Sequence, residues 1–194
     1  MILPKANSPM PLQLISPPAL EPITLADARA HLKVDTDADD ALITSLIAAA
    51  RARAEWHTAR AFITQDWILW LDRWPNRNCI EIPLSPSQAI TTLKTYAEDD
   101  TETALDASLF SVDTASQQAR VLLHQPLPTP LRALNAIALH FRAGYGDTAD
   151  SVPEPIRTAI LHIIADLYTN RGDANLEPPQ SARALLAPYR SLKL

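Results

Sequence analysis

The sequence predicts an α+β fold: a helical core of N-terminal helices and one long C-terminal helix, an inserted antiparallel β region, and extended termini. Three observations predict it. Apolar residues recur at helical spacing in Leu42, Ile43, Leu46, Ile47, Ala50 and Ala54, and again in Ile156, Ile160, Ile163 and Leu167. Between these stretches the period drops to two, as in Trp67, Leu69 and Leu71 and in Ile137, Leu139 and Phe141. Prolines crowd the first 22 residues, where each removes a donor and disfavours helix at the residue before it.

Residues 1–22 therefore read as an extended arm, either a loose terminus or a segment ordered only by a partner. The main domain spans 23–172. Thr24-Leu-Ala-Asp27 is a capping-box-like start, with Asp in place of Glu, for a helix over 24–32. Asp35, Asp37, Asp39 and Asp40 supply carboxylates at the positive end of a second helix over 38–59. Arg51, Arg53 and Arg60 lie off its apolar stripe and read as solvated or partner-facing cations.

The β region covers 62–142. Ile63 to Trp74 is apolar on both alternating faces, so it should be covered on both. Ile80 and Ile82 make a short strand ended by proline, and Ile90 to Tyr96 alternates. Glu98, Asp99, Asp100, Thr101 and Glu102 form a polar hairpin tip. Strands follow at about Leu109–Val112 and Arg120–Leu123, then a proline-rich loop at 126–130 and a last strand to Phe141. Pro153 and Pro155 open the long helix over 154–171, and Gly172 stops it. Residues 173–194 make a linker, a short helix over Ser181–Ala187 and a tail. Seventeen prolines against three glycines imply turns set by proline at negative φ rather than by glycine.

Charge and cysteine content narrow the function. A net charge of −5 argues against a general grip on DNA or anionic lipid, both of which need clustered cations. One cysteine, Cys79, allows no internal disulfide and no zinc cluster, and reads as a small buried apolar group. No stretch has the apolar length of a signal core or a membrane span, so a soluble protein folding in the cytosol is expected.

No catalytic constellation survives inspection. Gly144-Tyr-Gly146-Asp-Thr-Ala149 fits a dinucleotide fingerprint, but Pro153 and Pro155 start the helix too late to aim its N–H groups at a pyrophosphate. Asp35, Asp37 and Asp39 match the first ligand positions of a calcium loop, but Asp40 and Leu46 stand where glycine and glutamate are required. His162 and Asp166 lie four apart on the long helix, fit for a hydrogen-bonded pair or a partner contact, with no third metal ligand in view. No enzyme activity, metal or cofactor is expected. Stiff extensions at both ends, an over-apolar long helix and aromatic surface on one strand are instead marks of a subunit in an assembly.

The order of several blocks then becomes informative. Ile23-Thr-Leu-Ala-Asp-Ala-Arg-Ala-His-Leu32, Asp39-Asp-Ala-Leu-Ile43, Phe62-Ile-Thr-Gln65 and Leu71-Asp-Arg73 resemble the head-tail connector (adaptor, head-completion) proteins of long-tailed phages and gene transfer agents. Arg142-Ala-Gly-Tyr-Gly146, Val152-Pro-Glu-Pro155, Ile160–Asn170 and Leu185-Leu-Ala-Pro-Tyr-Arg190 extend the likeness over roughly residues 20–192. The resemblance implies a dodecameric ring of this chain under a portal protein, carrying duplex DNA without binding it specifically. It implies a location at the head-tail junction of a particle, after assembly in the host cytoplasm, with no membrane contact. A neighbouring stopper or tail-completion protein, or a DNA-packaging accessory factor, are the alternatives.

Site assignments follow from that picture. The final segment implies portal contacts at Tyr189, Arg190, Leu192 and Leu194. Arg51, Arg53, His162 and Asp166 are candidates for the subunit interface. A conduit should not collect cations on its wall, and about twelve copies would carry about −60. Asp35, Asp37, Asp39, Asp40, Glu98, Asp99 and Asp100 are accordingly the candidate channel-lining side chains.

Overall fold

The computed structural model describes residues 11–75, 78–116, 118–125, 130–170 and 177–190. Thr24 opens the first helix by the expected device. Its hydroxyl accepts from the Asp27 N–H at 3.1 Å, and the Asp27 carboxylate accepts from the Thr24 N–H at 3.2 Å. Two orphan donors are thereby satisfied, and α1 runs Leu25–Leu32. The second helix, α2, runs Asp40–Thr58. Asp39 sits at its N-cap without a side-chain cap bond; its carboxylate instead accepts from the Tyr168 hydroxyl of α3, Glu154–Thr169. α3 begins after Pro153 and ends at Asn170, and the expected stop at Gly172 lies outside the described residues. α4, Gln180–Leu186, continues into a 3-10 turn over Ala187–Tyr189.

These helices enclose one of two cores. Ile43, Ile47, Ala50 and Ala54 of α2 meet Ile156, Ile160, Ile163 and Ile164 of α3, with Ala182 and Leu186 of α4 closing the side. α3 thus packs against α2, α4 and α1 together. Each fully buried Ile or Leu here contributes about 1.5–3 kcal/mol.

The middle of the chain builds two antiparallel sheets. Strands β1 (Leu12–Ser16), β2 (Gln65–Leu71), β4 (Ser87–Tyr96), β5 (Glu102–Ala104) and β8 (Ile137–Ala143) form the larger, in the order β1-β2-β8-β4-β5. β3 (Cys79–Glu81), β6 (Phe110–Asp113) and β7 (Arg120–Leu123) form the smaller, in the order β3-β7-β6. Leu69, Leu139 and Leu93 stand in register across β2, β8 and β4. They face Ile80, Ile82 and Val121 to make the second core. Alternation in the sequence predicted these inward faces correctly.

Three expectations are corrected. Part of the N-terminal arm is neither loose nor dependent on a partner, because Leu12, Gln13 and Leu14 pair with Leu69, Ile68 and Trp67 of this same chain. Proline cannot donate, but an edge strand needs donors on only one side, so prolines flanking β1 are tolerated. β5 was not anticipated; its three residues are all exposed and carry no apolar alternation. Turns do not rely on proline alone. Lys33, Ala59, Asn78, Asp100 and Asn135 adopt positive φ between 50° and 64°, a region where the scarcity of glycine leaves other side chains to bear the strain.

Candidate functional site

The helical core and the sheet core are joined through the segment after α2, and Glu55 is its centre. The Glu55 carboxylate accepts from the Phe62 backbone N–H at 2.8 Å and from the Gln65 side-chain amide at 2.7 Å. It also pairs with Arg51 at 2.5 Å, one helical turn back, while Arg51 reaches Glu21 at 2.7 Å. Burial pushes the Glu55 carboxyl up, against the pull of Arg51 and of the bonds from Phe62 and Gln65. Arg60 extends the joint, donating to the Tyr189 carbonyl and lying 6.0 Å from the centre of the Tyr145 ring.

Arg51 is therefore not a solvated cation but half of a buried clamp within the chain. Arg53 is also turned inward, donating to the Glu177 carbonyl and approaching Asp166 at 4.0 Å. His162 and Asp166 do not pair. The His162 ring stacks on His31 of α1, with centroids 5.8 Å apart, whereas Asp166 accepts from the Asn170 amide at 2.9 Å. Sequence spacing on one helix gave no view of the elements packed across it.

The acidic candidates divide. Asp35 and Asp37 are exposed on the loop between α1 and α2. Asp39 is held by Tyr168, and Asp40 pairs with Arg29 at 3.3 Å. Glu98, Asp99 and Asp100 are exposed at the tip joining β4 to β5. Asp99 accepts from the Thr101 N–H at 3.0 Å, and its bonds from Thr101 hold its carboxyl below the usual range. Asp100 pairs with Arg132 at 3.1 Å, and the Arg132 guanidinium lies over the Tyr96 ring at 4.1 Å. One acidic group belongs to the helical core and the other to the sheet.

At the C-terminal end, Tyr189 packs in part against the helical core and Arg190 is exposed. Leu192 and Leu194 lie outside the described residues. Among the described residues no group of three or more His, Cys, Asp or Glu could hold a metal ion, and no helix is long and apolar enough to cross a membrane.

Two surface features were not anticipated. Trp56 on α2 is 89% exposed, the most exposed of the large hydrophobic residues described. Its signal was present in the sequence, as an indole off the buried stripe of its helix. The second feature is a cleft of about 240 Å³ on the larger sheet, bounded by Ile15, Trp67, His140, Phe141 and the Asp66–Arg142 ion pair.

Burial also lowers the His140 imidazole from its ordinary value, with help from nearby Lys94, and burial lowers His57. A neutral imidazole in the folded chain, set against one that charges readily when unfolded, makes stability fall as pH drops through about 6.5. The His140→Gln variant should therefore lose less melting temperature than the wild type between about pH 7 and about pH 5. Parallel slopes in thermal melts would remove His140 from this account.

Comparison with known proteins adds to this geometry. Residues 22–109 match the model of the phage gp6-like head-tail connector protein family. No curated protein matches the sequence. In the neck of an empty gene transfer agent particle, computed with C6 symmetry, one chain is 25% identical. That likeness has a TM-score of 0.81 and covers 95% of this chain and 97% of the other. Chains in the virion of a native gene transfer agent particle and in its neck computed with C12 symmetry share the fold at TM-scores of 0.82 and 0.78. They are 23% and 24% identical, again over 95% of this chain and 97% of the other. The family match spans α1, α2 and the strands from β2 to β5, and the likeness to gene transfer agent neck and virion chains continues along nearly the whole chain.

Proposed function

We propose that this chain is a structural head-tail adaptor, with about twelve copies forming a ring beneath the portal that lengthens the DNA channel and joins capsid to tail. The observation that carries the reading is the likeness to a neck chain over 95% of this chain. Exposed Asp35, Asp37, Glu98 and Asp99 are the carboxylates available to a channel wall that must repel phosphate. Asp39, Asp40 and Asp100 are engaged with Tyr168, Arg29 and Arg132 and serve the fold first. Arg190, with the tail that follows it, is the portal contact on this reading, while Tyr189 anchors that tail to the helical core. A stopper or tail protein then adds below the ring, and no cofactor is involved.

Disrupting the gene tests this directly. Expected are heads that have packaged DNA but carry no tails and leak their DNA, with tailed particles restored by a supplied copy. Tailed, DNA-retaining particles made without the chain would contradict the proposal.

A further inference from the structure

The chain carries a net charge of −5, but its charges are not spread evenly. Residues 178–194 contain Arg183, Arg190 and Lys193 and no aspartate or glutamate. Lys193 lies outside the described residues; the fold brings the other two to the C-terminal end of α2. His57, in the last turn of that helix, feels both of them. Burial lowers its imidazole, Arg190 and Arg183 lower it further, and Glu177 acts the other way. Arg60 stands at the same place, since its Nε donates to the carbonyl of Tyr189, the residue before Arg190.

The pairing of these arginines is incomplete. Arg29, Arg51, Arg120, Arg132, Arg142 and Arg157 each have a carboxylate within 3.3 Å. Arg183 likewise meets Glu177 at 2.6 Å. Arg60 does not follow them. It spends Nε on the Tyr189 carbonyl and Nη1 on the Tyr145 hydroxyl at 3.2 Å, both neutral acceptors, and it has no carboxylate partner among the described residues. Arg190 is exposed and has no ion pair among them either. Two neighbouring guanidinium groups are therefore left with uncompensated charge and open donors. Their position is also fixed in advance, because Tyr189 packs in part against the helical core while Arg60 holds its carbonyl. Binding there loses little freedom.

Paired N–H donors of arginine match carboxylates and phosphates. Duplex DNA is the poorer occupant, because its hold grows with the number of phosphates neutralised and the chain as a whole repels it. We infer that Arg60 and Arg190 form a cationic docking site for an acidic segment of the portal, whose Asp or Glu carboxylates take the donors these two groups leave open. This rests on the reading of the C-terminal end as the portal contact and deepens it by fixing the chemistry of the surface it meets.

The test uses the full chain and the portal protein of the same particle. A carbodiimide joins an amine to a carboxylate in contact with it and adds no spacer. With the Arg190→Lys chain bound to portal, mass spectrometry should find an amide between position 190 and an Asp or Glu of the portal. Arg190→Glu should weaken portal binding about tenfold or more and flatten its dependence on salt, with the melting temperature unchanged. Arg60→Met should weaken binding in the same direction. Undiminished binding by Arg190→Glu would overturn the inference alone and leave the adaptor reading standing. So would a link from position 190 only to a second copy of this chain, or binding of a short DNA duplex that Arg190→Glu abolishes while portal binding persists. No binding of the unaltered chain to portal would overturn the proposed function, and this inference with it.

Discussion

Replacing Glu55 by alanine is expected to cost about 3–5 kcal/mol of folding stability, the range for removing one partner of a buried ion pair. The change leaves the Phe62 N–H and the Gln65 amide without the acceptor that now serves both, and leaves Arg51 with Glu21 alone. A loss of that size is a large part of the stability of an ordinary domain. For a chain of this length it should lower the melting temperature by roughly 10 °C or more. Glu55→Gln should cost less, because its carbonyl can still accept from Phe62. The pH dependence has a definite sign. Burial raises the folded-state pKa of Glu55, so its folded carboxyl binds a proton more readily than its unfolded one. Its contribution to stability therefore declines as pH rises through the ordinary carboxylate range toward the raised value. A melting temperature within a few degrees of wild type for Glu55→Ala would show that the joint between the two cores is held by other contacts.

Gly144→Ala should be at least as damaging, for a reason of space. Gly144 has φ of +140°, a region that side chains disfavour. A Cβ built there would lie 2.6 Å from the Thr64 nitrogen and 2.7 Å from the Ile63 carbonyl carbon and oxygen. Both neighbours are backbone, so neither can turn aside. The surrounding bonds fix the approach: Gly144 N–H donates to the Pro86 carbonyl at 2.9 Å, Tyr145 N–H to Phe62 at 2.9 Å, and Thr64 N–H to Gly146 at 3.0 Å. Backbone strain and overpacking together should cost about 3 kcal/mol or more. The variant should accumulate as insoluble protein or melt well below wild type. Soluble expression with an unchanged melt would mean that this turn is not pressed against residues 63 and 64.

These two positions show what sequence reading reached and where it stopped. Thr24 with Asp27 announced a helix start because a cap is a local matter of four residues. The buried faces of α2, β2 and β8 were legible because their periods are fixed by backbone geometry. Glu55 was not legible. Its partners lie seven and ten residues on, past a helix end whose turn is made by Ala59 rather than glycine. Gly144 stood out only as part of a fingerprint that fails, because the backbone it touches lies eighty residues earlier. The same blindness to tertiary partners made Arg51 and Arg53 look available to a neighbour. Strand β1 was missed for the converse reason: its prolines speak against a strand in general, but not against an edge strand bonded on one side. Trp56 was readable from its place off the buried stripe of α2, yet a single exposed residue carries little weight until the stripe is seen to be complete without it.

The central claim is that copies of this chain form the ring at which the head meets the tail. Cryo-electron microscopy of the purified particle, averaged on the neck, tests it most directly. The account predicts a ring of density under the portal into which this fold fits copy by copy, around a bore lined by carboxylates rather than guanidinium groups. A neck with no density for this chain, or a bore lined mainly by its arginines, would contradict it.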